Sequence, residues 1–188
     1  MAALSDGVFA IAITLLVLPL TDADLQGGPL QEKLLDLRSP FFAFVLSFVV
    51  IGRYWLAHHD DVREMMGVDN RVLVANLVFL FFIVLLPFPT ALLGEVGGLL
   101  PTLIYAVTII ATALSSLALS RTAGRAGLTR DEDRSRAKTN GSMAAALGFV
   151  PSLGLVFLSP AWAQVSWFLV LPLSTLADRL EARRHARP

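Results

Sequence analysis

Long apolar runs alternate along this chain with short stretches that hold nearly all of its charges. Six such runs lie at about 5–20, 40–60, 71–92, 99–119, 140–159 and 162–180. Most approach the ~20 residues that a helix needs to cross about 30 Å of hydrocarbon. Apolar and polar residues do not alternate inside the runs as they would in barrel strands. Lipid offers backbone groups no partner, so each run predicts a helix. Pro19 is expected to close the first run, Ser39-Pro40 to open the second, and Pro87 with Pro89 to end the third. Pro101 falls in the first turn of the fourth and Pro160 in the last connection, while Pro151 and Pro172 predict kinks inside their runs. The pattern therefore predicts an all-α membrane protein, with residues 1–188 forming a single domain of six transmembrane helices.

Composition changes this picture little, and charge placement orients it. Hydrophobic residues make up 55% of the chain and charged residues 16%, well away from the balance of a soluble domain. The formal net charge is zero, which gives no general attraction to nucleic acid. With the N-terminus inside, Arg53, Arg63 and Arg71, the Arg121–Lys138 group and the tail arginines from Arg179 to Arg187 are all cytoplasmic, leaving Lys33 and Arg38 outside. By the positive-inside rule both termini are cytoplasmic, and the basic clusters read as topology signals in contact with lipid headgroups. Trp55, Trp162 and Trp167 fall near predicted interfaces, as belt residues do. The first run lacks a positive leading region and a small-residue cleavage site, so it reads as a retained helix rather than a signal peptide.

Candidate chemistry is sparse. Cysteine is absent, so disulfides and thiolate catalysis are excluded. The sequence contains no P-loop, GxSxG, HExxH or dinucleotide fingerprint, and the TVGYG filter of potassium channels is missing. No enzyme chemistry and no cofactor can be assigned. His58 and His59 are adjacent, so their side chains diverge on a helix and do not make a metal site. The first run is the informative one. Ser5 or Asp6 can cap its N-terminus, and Asp6 suits the positive end of the helix dipole. Ile11, Thr14 and Leu18 follow i, i+3, i+7 spacing and share one face. Taken alone, that is a packing stripe in which Thr14 bonds back to a carbonyl one turn earlier.

The run Ser5-Asp6-Gly7-Val8-Phe9-Ala10-Ile11-Ala12-Ile13-Thr14-Leu15 closely resembles the Phe-Ser-Asp signature opening the first helix of bacterial transmembrane protein 175 channels. That family includes the lysosomal potassium channel of animals. Trp55-Leu56-Ala57-His58-His59 resembles its Trp-x-x-His element. Asn76, Leu80-Phe81-Phe82 and Leu86-Pro87-Phe88 form a weaker third match. Leu4 stands where the signature has phenylalanine, and the arginine usual shortly upstream is absent.

The resemblance implies a homotetrameric cation channel in a bacterial inner membrane, with the first helix of each subunit lining a central pore. Ile11 would form the narrowest apolar ring, Thr14 a ring of hydroxyls and Leu18 a further apolar ring. Ser5, Asp6, Trp55 and His58 would form a polar network fixing the first helix at its inner end. The permeant ion would be K⁺, passing transiently near Thr14 and Ile11, with modest selectivity over other monovalent cations. The partners implied are further copies of the chain and the lipid bilayer. Two other readings remain open on the residues: a proton-coupled carrier using Asp6 and His58, and a non-conducting scaffold that oligomerises through its first helix.

Overall fold

The computed structural model describes residues 1–22 and 29–130. The expected spans at 140–159 and 162–180 lie outside the described residues, as do Pro151, Pro160, Pro172, Trp162, Trp167 and the tail arginines. Among the described residues the chain forms seven helices: α1 (Ala2–Leu15), α2 (Leu18–Thr21), α3 (Leu30–Asp36), α4 (Arg38–Glu64), α5 (Asn70–Leu85), α6 (Pro87–Glu95) and α7 (Leu99–Arg125). With α1 and α2 joined, and α5 and α6 joined, four stretches are long and apolar enough to cross a membrane: Ala2–Thr21, Arg38–Glu64, Asn70–Glu95 and Leu99–Arg125.

Local chemistry sets most of the helix limits. Pro40 lies in the first turn of α4, where a missing N–H costs nothing. Asp69 caps α5, its carboxylate accepting from the Val72 N–H at 2.8 Å. Gly97 and Gly98, at φ of 64° and 83°, make the turn into α7. At the other end Gly127 takes a left-handed φ of 66°, and the Leu128 and Gly127 N–H groups donate to the carbonyls of Ala123 and Gly124. This is a Schellman closure, which satisfies carbonyls that a bare helix end would leave orphaned.

The prolines of the first and third spans interrupt their helices rather than end them. α5 tightens at Leu86, whose N–H reaches Ile83, and α6 restarts at Pro87 and runs to Glu95. Pro19 likewise sits in the first turn of α2 instead of closing the first span. A helix in lipid cannot hand its freed carbonyls to water, so resuming the helix is the cheaper course.

The buried core gathers Phe9, Leu46, Ile51, Phe79, Ile83, Tyr105 and Ile109 from α1, α4, α5 and α7. Phe41, Phe48, Leu77, Phe81, Val107 and Leu114 face outward, as a lipid-facing surface requires. Close packing matters in such a bundle, because lipid gives apolar side chains no reason to leave it. Where α6 crosses α4, a Cβ added at Gly94 would lie 2.7 Å from the Pro40 Cα. Beside that crossing is a buried hydroxyl cluster: Ser47 meets Thr90 at 2.7 Å and Tyr105 at 3.1 Å, while Thr90 also donates to the Leu86 carbonyl. One cluster thus ties α4, α6 and α7 and satisfies three buried hydroxyls. α1 packs against α4 and α5, while α7 packs chiefly along α5. The start of α1, the end of α4, the start of α5 and the end of α7 lie together; this is termed the basal end below.

Candidate functional site

The candidate site is α1 with its continuation α2. Ser5, Phe9, Ala12 and Leu16 are buried, and their spacing of four, three and four residues marks one face turned to the bundle. Gly7, Ile11, Thr14 and Leu18 lie on the opposite side and are exposed. Ile11 keeps 61% of its surface and Leu18 47%, so the stripe is left uncovered by the described helices. The Thr14 hydroxyl donates to the Ile11 carbonyl at 2.8 Å. Its one proton is thereby committed within the helix, and its oxygen keeps acceptor capacity on the exposed face.

The three stripe residues do not share one unbroken helix. The N–H groups of Leu16 and Val17 reach the carbonyls of Ile13 and Thr14, three residues back, and α1 ends there. Ile11 and Thr14 therefore belong to α1, and Leu18 begins α2. Leu16 and Val17 stay in the right-handed helical region, which carries the stripe across the joint.

The basal end of α1 is held by side chains from two other helices. The Trp55 indole N–H donates to an Asp6 carboxylate oxygen at 3.0 Å, joining α4 to α1. The Asn76 amide donates to the Ser5 hydroxyl at 3.4 Å, joining α5 to α1. Ser5 in turn donates to the Met1 carbonyl. Helix α1 starts at Ala2 without a side-chain cap, so neither Ser5 nor Asp6 plays the capping role that the sequence suggests. Both lie inside the helix, and their polar groups serve contacts between helices instead.

His58 is buried and acts through its ring. It stacks on Phe79 with centroids 5.2 Å apart and meets Phe9 at 5.8 Å, in the wedge between α1 and α5. The Nε2 atom of His58 has no hydrogen-bond partner, although the resemblance implies a place for this side chain in a polar network. His59 instead turns toward Trp55, ring to ring at 5.5 Å. The structure thus brings Ser5, Asp6, Trp55 and His58 together at one end of α1, with Ile11, Thr14 and Leu18 ranged along its outer face. Asn76 belongs to the same cluster, and its signal in the sequence is an amide set alone in the apolar run Leu73–Phe82. Among the described residues no group of three or more acidic or histidine side chains is arranged to hold a metal ion.

Comparison with known proteins bears on this arrangement. Residues 1–87, which contain α1 and its anchoring cluster, match the family model described as endosomal/lysosomal potassium channel TMEM175. A potassium channel of Streptomyces collinus is 34% identical over 167 residues, covering 84% of this chain and 81% of the relative. The chain belongs to the TMEM175 family. A second relative, a potassium channel of Chamaesiphon minutus, is 40% identical over 96 residues, or 50% of this chain and 47% of that protein. The crystal structure of a lysosomal potassium-selective channel TMEM175 homolog from the same organism superimposes with a TM-score of 0.74 at 28% identity. That likeness covers 94% of this chain and 95% of the other. TMEM175 is a family of multi-pass ion channels and not of enzymes.

Proposed function

We propose that this chain is one subunit of a homotetrameric potassium channel in a bacterial cell membrane, with α1 and α2 of each subunit lining the pore. The observation that carries the reading is the exposed stripe of Ile11, Thr14 and Leu18, opposite a face that is fully packed. A lone apolar helix would gain nothing by keeping one threonine in register between an isoleucine and a leucine on its outer face. Around a fourfold axis the same residues become three rings, spanning roughly 10 Å at 1.5 Å per residue. The Ile11 ring is the constriction, which expels water when narrow and gates by small helix shifts. The Thr14 ring supplies oxygens that replace part of the hydration shell of K⁺. No formal charge lines this path, so discrimination among monovalent cations is weak.

The basal end faces the cytoplasm in this reading. Arg63, Arg71, Arg121, Arg125 and Arg130 are exposed there, as the positive-inside rule requires. The Asp6–Trp55 bond and the His58 stack then hold the pore helix at its cytoplasmic end, leaving its middle free to shift. A carrier using Asp6 and His58 is less favoured, because one is tied to Trp55 and the other is buried between phenylalanines.

Recording from purified protein in planar bilayers, with K⁺ on one side and Na⁺ on the other, tests the proposal. Discrete current steps should reverse toward the potassium potential. Thr14→Ala should change the permeability ratio and Ile11→Asn the conductance. Unitary behaviour unaltered by both substitutions would overturn the pore assignment, and saturable flux coupled to protons would replace the channel by a carrier.

A further inference from the structure

The chain leaving α7 does not run directly into the connection beyond it. After the Gly127 turn, residues 128–130 fold back alongside the end of α4. The Met66 N–H donates to the Leu128 carbonyl at 2.8 Å, and the Arg130 N–H donates to the Glu64 carbonyl at 3.1 Å. Met65 and Thr129 thereby form an antiparallel β-bridge. The Arg130 bond takes up one of the carbonyls that the end of α4 would otherwise leave orphaned. One turn earlier the Ser120 hydroxyl donates to an Asp61 carboxylate oxygen at 3.0 Å. Leu128 packs against the core, and Gly67 leaves it room: a Cβ there would lie 3.3 Å from the leucine methyl. Thus α7 ends in a backbone strap fastened across the last turn of α4.

This strap sits on the segment that holds α1. Trp55 and His58 reach α1, and Asp61, Glu64, Met65 and Met66 meet the exit of α7. Trp55 and Met65 are ten residues apart, about 15 Å along a continuous helix. A tilt of the basal third of α4 therefore moves the Asp6 anchor with it. Because α7 packs chiefly along α5, the strap and the Ser120–Asp61 bond are what tie the last turns of α4 to the end of α7.

We propose that the Glu64–Met66 and Leu128–Arg130 strap positions the pore helix, stabilising the arrangement described here against the alternative gating state through α4 and its Trp55–Asp6 bond. Strap residues touch no ion and act through α4. The proposal rests on the channel reading with α1 at the pore.

The chain has no native cysteine, so a reversible lock can be built without background. Met65 and Thr129 form the non-hydrogen-bonded type of pair, in which Cα atoms are about 4.5 Å apart, inside the range of about 4.4–6.8 Å that a disulfide spans. The experiment records Met65→Cys/Thr129→Cys channels before and after oxidation, with reduction to reverse the lock, beside Arg130→Pro, which removes the N–H donated to Glu64. Locking and loosening should shift the open-to-closed ratio in opposite directions, each by about fivefold, the weight of roughly one hydrogen bond. Unitary conductance and the potassium-to-sodium permeability ratio should not change, which separates positioning from damage to the pore. Amide hydrogen exchange over residues 2–9 provides a readout that needs no current, and Arg130→Pro should accelerate it. Complete cross-linking with unchanged open probability, or Arg130→Pro with unchanged exchange in α1, would overturn the proposal. If the wild-type protein passes no unitary current, the channel reading falls by itself and the exchange result alone decides whether the strap positions α1.

Discussion

The first and last of the described spans are both apolar helices carrying threonines, yet they are built for opposite surroundings. In the apolar window of Leu99–Arg125, 56% of residues are buried, against 22% for Ala2–Thr21. Thr112 on α7 donates to the Thr108 carbonyl and is buried; Thr14 on α1 donates to the Ile11 carbonyl and is exposed. The same local device therefore hides a hydroxyl in one helix and displays its oxygen in the other. What separates them is the neighbours. α7 is mostly buried and packs along α5 and α6, whereas α1 is attached along one side and keeps an exposed face. The more buried helix belongs to the core, and the more exposed one carries the candidate site.

That division can be broken by substitution. The largest effect should come from Tyr105→Ala on α7, which empties a fully buried site and removes the phenol hydroxyl's contact with Ser47. A loss of about 3–5 kcal/mol is expected, read as a lowered melting temperature in detergent. Gly94→Ala should come next at about 1–3 kcal/mol, because the new methyl meets the Pro40 backbone and α6 must move off α4. Trp55→Phe keeps the ring and deletes the donor to Asp6. Since that contact is partly exposed, about 0.5–1 kcal/mol is expected, together with faster hydrogen exchange confined to the first turns of α1. The smallest stability change, within about 0.5 kcal/mol, should follow Ile11→Ala, even though this substitution should alter the currents most. A large destabilisation by Ile11→Ala would show that the exposed face of α1 is a packing surface after all.

Much of the frame was legible in the sequence, for a physical reason. Crossing a bilayer imposes one period, one length and one composition, so the apolar runs containing Ile11, Phe48, Phe79 and Ile109 each lie in a helix. Helix ends inside the spans were read less well. Pro19 and Pro87 were expected to stop their helices, a rule learned where water can take over the freed carbonyls; here the helix restarts within a residue or two. At the site, Ser5, Asp6, Trp55 and His58 could be named as a group from the motifs, but not their partners. Nothing local reveals that Asp6 takes its bond from a residue 49 positions away, or that Asn76 reaches Ser5 across 71. His58 looked like a hydrogen-bonding group because of its chemistry, and it serves mainly as an aromatic plate between Phe9 and Phe79. The strap lay beyond reach for the same reason, being made of backbone atoms that leave no side-chain signature.

On the proposal that α1 lines a pore, the inward-turned proton of Thr14 has a consequence for the sign of the ions that would pass. Four such side chains around an axis would present only oxygen, since each hydrogen is spent on the Ile11 carbonyl. A cation would meet lone pairs there, and an anion nothing able to donate to it. Rejection of chloride would thus arise from the direction of a dipole rather than from a ring of carboxylates. Salt screens the field of exposed charges over about 10 Å at 0.1 M, but it cannot rotate a hydroxyl held by its own helix. Cation preference built in this way should persist into concentrated salt, where a selectivity based on surface charge would fade.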